Sequence, residues 1–230
     1  MVITTLLAAT VCGQASMPQS INLKYKYTAG QVINYKESHN FKADMQVDGK
    51  SKPLSESGTR AFAYKVLKVS RGGNATIKLL QTGGTAKARA MTVEMGPVGR
   101  VDAGDVDGSL DRLPGGPAAV GTSWETTLAI KNLPPITVHN RVEAIQEVNG
   151  VTYAILHGSG NEDAAKIADF SAKGVKVSGS VTVDVVTRFN VTRGWLESTQ
   201  VRGNMTIDGE HQGHVLHMLM DISTTVRRTN

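Results

Sequence analysis

The stretch VTVDVVTRFNVTRGWLESTQVRGNMTIDGEHQGHVLHMLMDISTTV, residues 181–226, decides the fold. Val181, Val183, Val185, Phe189 and Val191 fall on one face of an extended chain, and Asp184, Arg188 and Asn190 on the other. Successive strand residues point to opposite faces, so this alternation predicts a half-buried strand. Arg193-Gly194 breaks the run. Trp195, Thr199, Val201, Met205 and Ile207 then share a face, and Asp208-Gly209 predicts a second turn. Leu216, Met218, Met220, Ile222 and Val226 make a third apolar face. Three long strands in succession predict an antiparallel meander with one apolar side.

That side carries the candidate ligand contacts Trp195, Met205, Met218 and Met220. Methionine is unbranched and polarizable, which suits both adaptable apolar sites and ordinary core filling. His211, His214 and His217 lie three apart, with Glu210 adjacent. On a strand His214 and His217 point to opposite faces, whereas zinc needs convergent ligands. A metal site here would use His211 and His214 at the end of a hairpin.

Upstream, residues 161–173, NEDAAKIADFSAK, read as the one helix. Asn161 suits its N-cap, Glu162 and Asp163 its positive end, and Gly174 its termination. Ala164, Ile167, Ala168 and Ser171 form one stripe, with Phe170 beside it. Such a helix is expected to pack across the sheet, where Phe170 would join the ligand contacts. His157-Gly158-Ser159-Gly160 reads as a turn, because a nucleophile elbow would need glycine where His157 and Asn161 stand. Residues 125–130, 137–148 and 151–156 read as strands, the last two joined by Asn149-Gly150.

The first half has the same punctuation. Leu23, Tyr25 and Tyr27 share one face of a strand candidate over residues 22–27, with Lys24 and Lys26 opposite. Residues 31–47 form a long strand interrupted near Ser38-His39-Asn40, and Asp48-Gly49 is a hairpin signal. Gly49-Lys50-Ser51 is not a phosphate loop, since Asp44 replaces its first glycine and Pro53 its helix. Strands at 59–69 and 75–82 follow. In the first, Phe62, Tyr64 and Val66 change phase to Leu67 and Val69, which predicts a bulge near Val66. The run from Val66 through the Gly73 turn to Gly83 parallels the run from Val142 through Gly150 to Gly160, which reads as a degenerate internal duplication.

Between the halves lies PGGPAAVGTSW, residues 114–124, kept extended by its prolines and glycines. Trp124 is expected to plug the junction. Before it, Asp102, Asp105, Asp107 and Asp111 crowd one loop. Asp105 and Asp107 resemble part of a calcium loop, but no glutamate closes it, and Arg100 and Arg112 can neutralise the acids. Pro114, Pro117, Val120, Gly121 and Trp124, preceded by Val93, Met95, Pro97, Gly99 and Val101, resemble a pattern of bacterial secreted or envelope proteins of unknown function, in which two β units flank such a joint. The resemblance implies an envelope location and a β architecture and brings no catalytic residue with it. In architecture alone the chain is also similar to lipoprotein carriers, whose half-barrel sheet holds acyl chains.

The apolar run at residues 2–11 is too short to span a bilayer, and Gly13 and Ala15 sit at the −3 and −1 places of a cut before Ser16. This reads as a cleaved secretory leader lacking a preceding Lys or Arg. Lipoprotein anchoring at Cys12, the one cysteine, fits less well, because Ala9-Thr10-Val11 is a poor lipidation signal. No later run approaches membrane-spanning length. The net charge of +5 is scattered through the chain, and aromatics are 5%, which argues against nucleic acid.

Together these readings predict an all-β, mainly antiparallel curved sheet or half-open barrel built from two related units, with one short helix. The leader is 1–15, the first unit 16–113, the joint 114–124 and the second unit 125–230. The expected function is non-catalytic and extracytoplasmic, without a cofactor: binding of a lipid or another apolar or amphipathic molecule. The alternatives are a structural or protein-interaction module of the cell envelope, and a metal-dependent hydrolase.

Overall fold

The computed structural model describes residues 20–82, 90–100, 112–128, 136–167, 176–211 and 213–229. Eleven strands form one antiparallel sheet. The first half supplies β2 (Val32–Val47), β3 (Lys50–Val69), β4 (Ala75–Thr82), β5 (Ala90–Gly96) and β6 (Gly99–Arg100). The second half supplies β8 (Ser123–Leu128), β9 (Ile136–Val148), β10 (Val151–Asp163), β11 (Lys176–Asn190), β12 (Trp195–His211) and β13 (His214–Thr229). The order is β6-β5-β4-β3-β2-β13-β12-β11-β10-β9-β8, an open sheet with β6 and β8 at its edges. Each strand pairs with its neighbour in sequence except at one seam, where β13 pairs with β2 from Leu216–Val47 to Thr229–Asn34. A separate two-stranded ladder joins β1 (Ile21–Asn22) to β7 (Pro117–Ala118) in the joint. Among the described residues the one helix, α1, is Ala164–Ile167.

The local rules account for most of this. Asp48-Gly49 and Asn149-Gly150 have φ of 49°, 75°, 52° and 72°, the left-handed pair that a two-residue hairpin turn requires. The phase change after Val66 is a bulge: Val66 pairs with Ile77 and Lys68 with Thr76, leaving Leu67 as the extra residue.

Several local expectations are corrected by pairing on both flanks. Ser38-His39-Asn40 does not interrupt β2, because β3 and β13 hold all three residues. Asp208-Gly209 is not a turn: β11 and β13 pair with both residues, and the chain reverses beyond His211. His157-Gly158-Ser159-Gly160 likewise continues β10 between β9 and β11. A Cβ on Gly160 would lie 2.6 Å from the Thr137 carbonyl oxygen, so the glycine serves close strand approach rather than reversal. Asn161 does not cap a helix. Asn161, Glu162 and Asp163 pair with Thr182, Val181 and Ser180, and the Asp163 carboxylate accepts the Ala165 N–H at 2.9 Å instead. Residues 168–173 of the expected helix lie outside the described residues.

One face of the sheet is buried and is called inner here. Its larger cluster gathers Ile33, Tyr35, Phe62, Tyr64, Val66 and Ile77 from the first half with Val142, Ala154, Leu156, Phe189, Trp195 and Leu196 from the second. The segment after β1 seals this cluster. Leu23 and Tyr25 are buried while Lys24 and Lys26 are exposed, as the alternation predicts, yet the segment does not join the main sheet. Instead, Tyr25 N–H donates to Pro97 O at 2.7 Å and Lys26 N–H to Gly194 O at 3.2 Å, bridging turns from opposite halves. Asn190, assigned above to the polar face, is buried and satisfied: its side chain donates to Glu197 at 2.8 Å and accepts the Arg193 N–H at 2.9 Å.

The halves share an anchor. Gly30 N–H donates to Val66 O at 2.9 Å and Val66 N–H returns to Gln31 O at 2.9 Å. Gly121 N–H donates to Val142 O at 2.8 Å and Val142 N–H returns to Thr122 O at 2.9 Å. Val66 and Val142 are the residues that the sequence repeat aligns, and both are fully buried.

Candidate binding site

The inner face changes character toward the hairpin tips. A second cluster contains Ile136, Ala164, Val181, Val183, Met205 and Ile207, with Val177, Val185, Val201, Met218 and Met220 packed against it. Strand register extends it into a platform. Leu54, Ala43, Met220, Met205 and Val181 form one row across β3, β2, β13, β12 and β11. Met45, Met218 and Ile207 continue the next row toward the tips, and Phe41, Ile222 and Val183 lie in the row on the other side. Five strands at about 4.8 Å spacing make the first row about 19 Å long.

Cover over this platform is uneven. Met205 and Ile207 are buried, and Ala164 brings α1 onto the β11 side. Toward β3 the platform opens: Met45, Met218, Met220 and Phe41 are half-buried and Leu54 is 49% exposed. The larger cluster instead seals Trp195 at 1% exposure.

A polar belt separates the two clusters. Glu37 is buried and faces Arg60 across β2 and β3, with a carboxylate–guanidinium distance of 2.9 Å. The His39 ring lies 3.8 Å from the same carboxylate and over Gly58, where a Cβ would come within 2.8 Å of it. Farther along the belt the Thr187 and Thr199 hydroxyls meet at 3.0 Å. At its β8 end, Trp124, Asn140, Leu156, Gly158, Val185 and Thr187 line a cleft of about 10 Å³, room for one water. Trp124 is half-buried there, and its indole N–H donates to Arg112 O at 2.8 Å.

The structure therefore groups Met205, Met218 and Met220 and sets Trp195 apart, in the sealed cluster with Tyr25 and Tyr27. Phe170, Asp105 and Asp107 lie outside the described residues, and of His211 only the backbone is described. His214 Nδ1 is 2.6 Å from the Asp48 carboxylate and His217 Nδ1 is 2.6 Å from Asp208. Among the described residues no three His, Cys, Asp or Glu side chains are gathered as a metal site would require. Sequence reading missed Phe41, Met45 and Leu54 as platform residues and the Glu37–Arg60–His39 cluster. The signal for the cluster was the even spacing of Glu37 and His39 with Ile33 and Tyr35 on an otherwise apolar face.

No family model matches the chain, and no curated protein matches it. Among solved structures, the ywiB protein from Bacillus subtilis is similar at 8% identity, covering 86% of this chain and 94% of that one, with a TM-score of 0.17. A likeness at that score carries no argument about fold or function. No helix among the described residues is long and apolar enough to cross a membrane.

Proposed function

We propose that this is a non-catalytic extracytoplasmic binding protein that holds an apolar or amphipathic molecule on the methionine platform of its inner face. The observation that carries the reading is the row Leu54, Ala43, Met220 and Met205, in which Leu54 is exposed and Met220 half-buried while Ala43 and Met205 are buried, beside a sealed cluster on the same face of the same sheet. Stability alone favours covering such a face completely, and an incompletely covered apolar face suits a ligand. Methionines suit a ligand of variable shape. The apolar run at residues 2–11 and the Pro/Gly/Trp joint support an exported protein of the envelope class.

Native mass spectrometry of the mature protein, secreted by its own host and purified without detergent, tests this. A reproducible adduct of lipid mass, lost on organic extraction and absent from a Met220→Asp variant, is expected. A bare polypeptide mass in the wild type would sink the reading.

A second reading is a protein-interaction module of the envelope. The observation favouring it is edge strand β8, whose pairing among the described residues is with β9 alone. An unpaired edge can accept a strand from a partner. Recovery of a stoichiometric envelope protein by crosslinking at Thr127, with no lipid adduct, would favour it.

A further inference from the structure

We propose that Arg60 and His39, positioned by Glu37, recognise the carboxylate head of a single-chain amphiphile whose tail lies on the methionine platform. This rests on the binding reading above and names the chemistry of its ligand.

The cluster stands where a head group would stand. Inner-face residues recur every second position, so His39 is followed toward the platform by Phe41, Ala43 and Met45. Arg60 lies beside Glu37 in the adjoining row, on the sealed side of His39. A chain lying on the platform and turning up at β2 and β3 brings its terminal group to these side chains.

The cluster offers donors. Glu37 is 8% exposed at its side chain and faces both Arg60 and His39, so its charge is directed inward. Arg60 keeps 29% of its side chain exposed and His39 keeps 32%. Arginine has five N–H donors in a planar fork, and one guanidinium nitrogen faces Glu37 at 2.9 Å. The Nδ1 of His39 lies 3.8 Å from the carboxylate, and its Nε2 lies over Gly58. A group that only accepts hydrogen bonds and carries negative charge matches the guanidinium donors turned away from Glu37, and a carboxylate matches the fork in shape. The other charges on this face of β3 are Lys50, beside Val47, Lys52, beside Met45, and Glu56, beside Phe41. Both lysines stand at the tip end of the platform, so Arg60 is the cation at the belt end, with His39 beside it. Arg228, higher on the same face, already engages Glu197 at 3.3 Å.

The test is a chain-matched ligand series, a long-chain fatty acid, the corresponding alcohol and the corresponding amine, titrated against the full chain by isothermal calorimetry. The acid is expected to bind on the order of tenfold or more tighter than the alcohol, the worth of a charge-assisted hydrogen bond, and the amine weakest. The paired substitution Glu37→Gln with Arg60→Gln removes both charges together, and is expected to erase the preference for acid over alcohol. His39→Gln is expected to reduce the preference without erasing it. Equal binding of acid and alcohol by the wild type overturns the head-group assignment and leaves the platform reading standing. Binding of neither overturns both. An acid preference that survives the paired substitution overturns the assignment to Arg60. If the paired variant fails to fold, the wild-type acid-to-alcohol ratio decides.

Discussion

The backbone N–H of Lys26 donates to the carbonyl of Gly194 at 3.2 Å, and this contact pins the N-terminal segment onto the turn between β11 and β12. Gly194 has φ +70°, and a Cβ there would lie 2.6 Å from the Lys26 nitrogen. Gly194→Ala is therefore expected to lower the unfolding free energy by about 1–3 kcal/mol, the cost of one strained backbone position. Denaturant titration checks this, and an unchanged midpoint would show that the segment does not depend on the contact.

The glycines of the inner face differ in what they protect. At Gly160 an added Cβ meets backbone, Thr137 O at 2.6 Å, whereas at Gly58 it meets the His39 side chain, which can turn away. Gly160→Ala is expected to cost about 1–3 kcal/mol by overpacking, and Gly58→Ala less. The reverse order in thermal melts would show that the ladder from β9 to β10 yields more easily than His39.

Two tyrosines are expected to make stability depend on pH in the alkaline range. Burial, and then the neighbouring Tyr64, hold the hydroxyls of Tyr27 and Tyr35 well above their ordinary value of 10.0. They donate to Gly96 O at 3.0 Å and Leu196 O at 3.1 Å. The folded state keeps these protons while the unfolded chain releases them, so their contribution is full below pH 10.0 and declines as pH rises beyond it. Unfolding midpoints measured from pH 8 upward are expected to fall above about pH 10, and Tyr27→Phe with Tyr35→Phe to flatten that fall. An equally steep decline in the double variant would refute the assignment.

At the hairpin tips the order reverses. A hydrogen bond from His214, then the Val215 N–H, hold the Asp48 carboxyl below its ordinary 3.8. Its folded form therefore favours the carboxylate, and the contribution, present above 3.8, is lost as pH falls through the lower folded value. Carbon-detected NMR titration should place the Asp48 midpoint below 3.8, and His214→Ala should raise it. An Asp48 midpoint unmoved by that substitution would separate the two groups.

Leu54 can separate the proposed binding from folding. It lies on the platform at 49% exposure, so Leu54→Asp is expected to change stability by no more than about 0.5 kcal/mol. Under the proposed binding to the platform, the same substitution is expected to abolish the lipid-mass adduct. Retention of the adduct would move the binding surface away from β3.

Much of the architecture was legible because strand signals are local. The alternation of Val181 to Val185 and of Leu216 to Ile222, the two-residue turns at Asp48-Gly49 and Asn149-Gly150, and the phase slip at Val66 each depend on a few adjacent residues. The errors share a cause. Asp208-Gly209 and His157-Gly158-Ser159-Gly160 carry turn composition, but ladders on both sides supply more hydrogen bonds than a turn would. The methionines were legible as one face. That Trp195 belongs to a different, sealed cluster was not, since the alternation is the same along the whole strand.

By itself the sequence determined an antiparallel all-β chain, because backbone sterics and side-chain alternation act over two or three residues. The tertiary structure decided that the last strand pairs with the first long one, bringing Met218 beside Met45 and Val226 beside Glu37. It also decided which part of the inner face the N-terminal segment seals. Both depend on contacts between residues far apart in the chain, whose register is fixed only when the whole face is buried together.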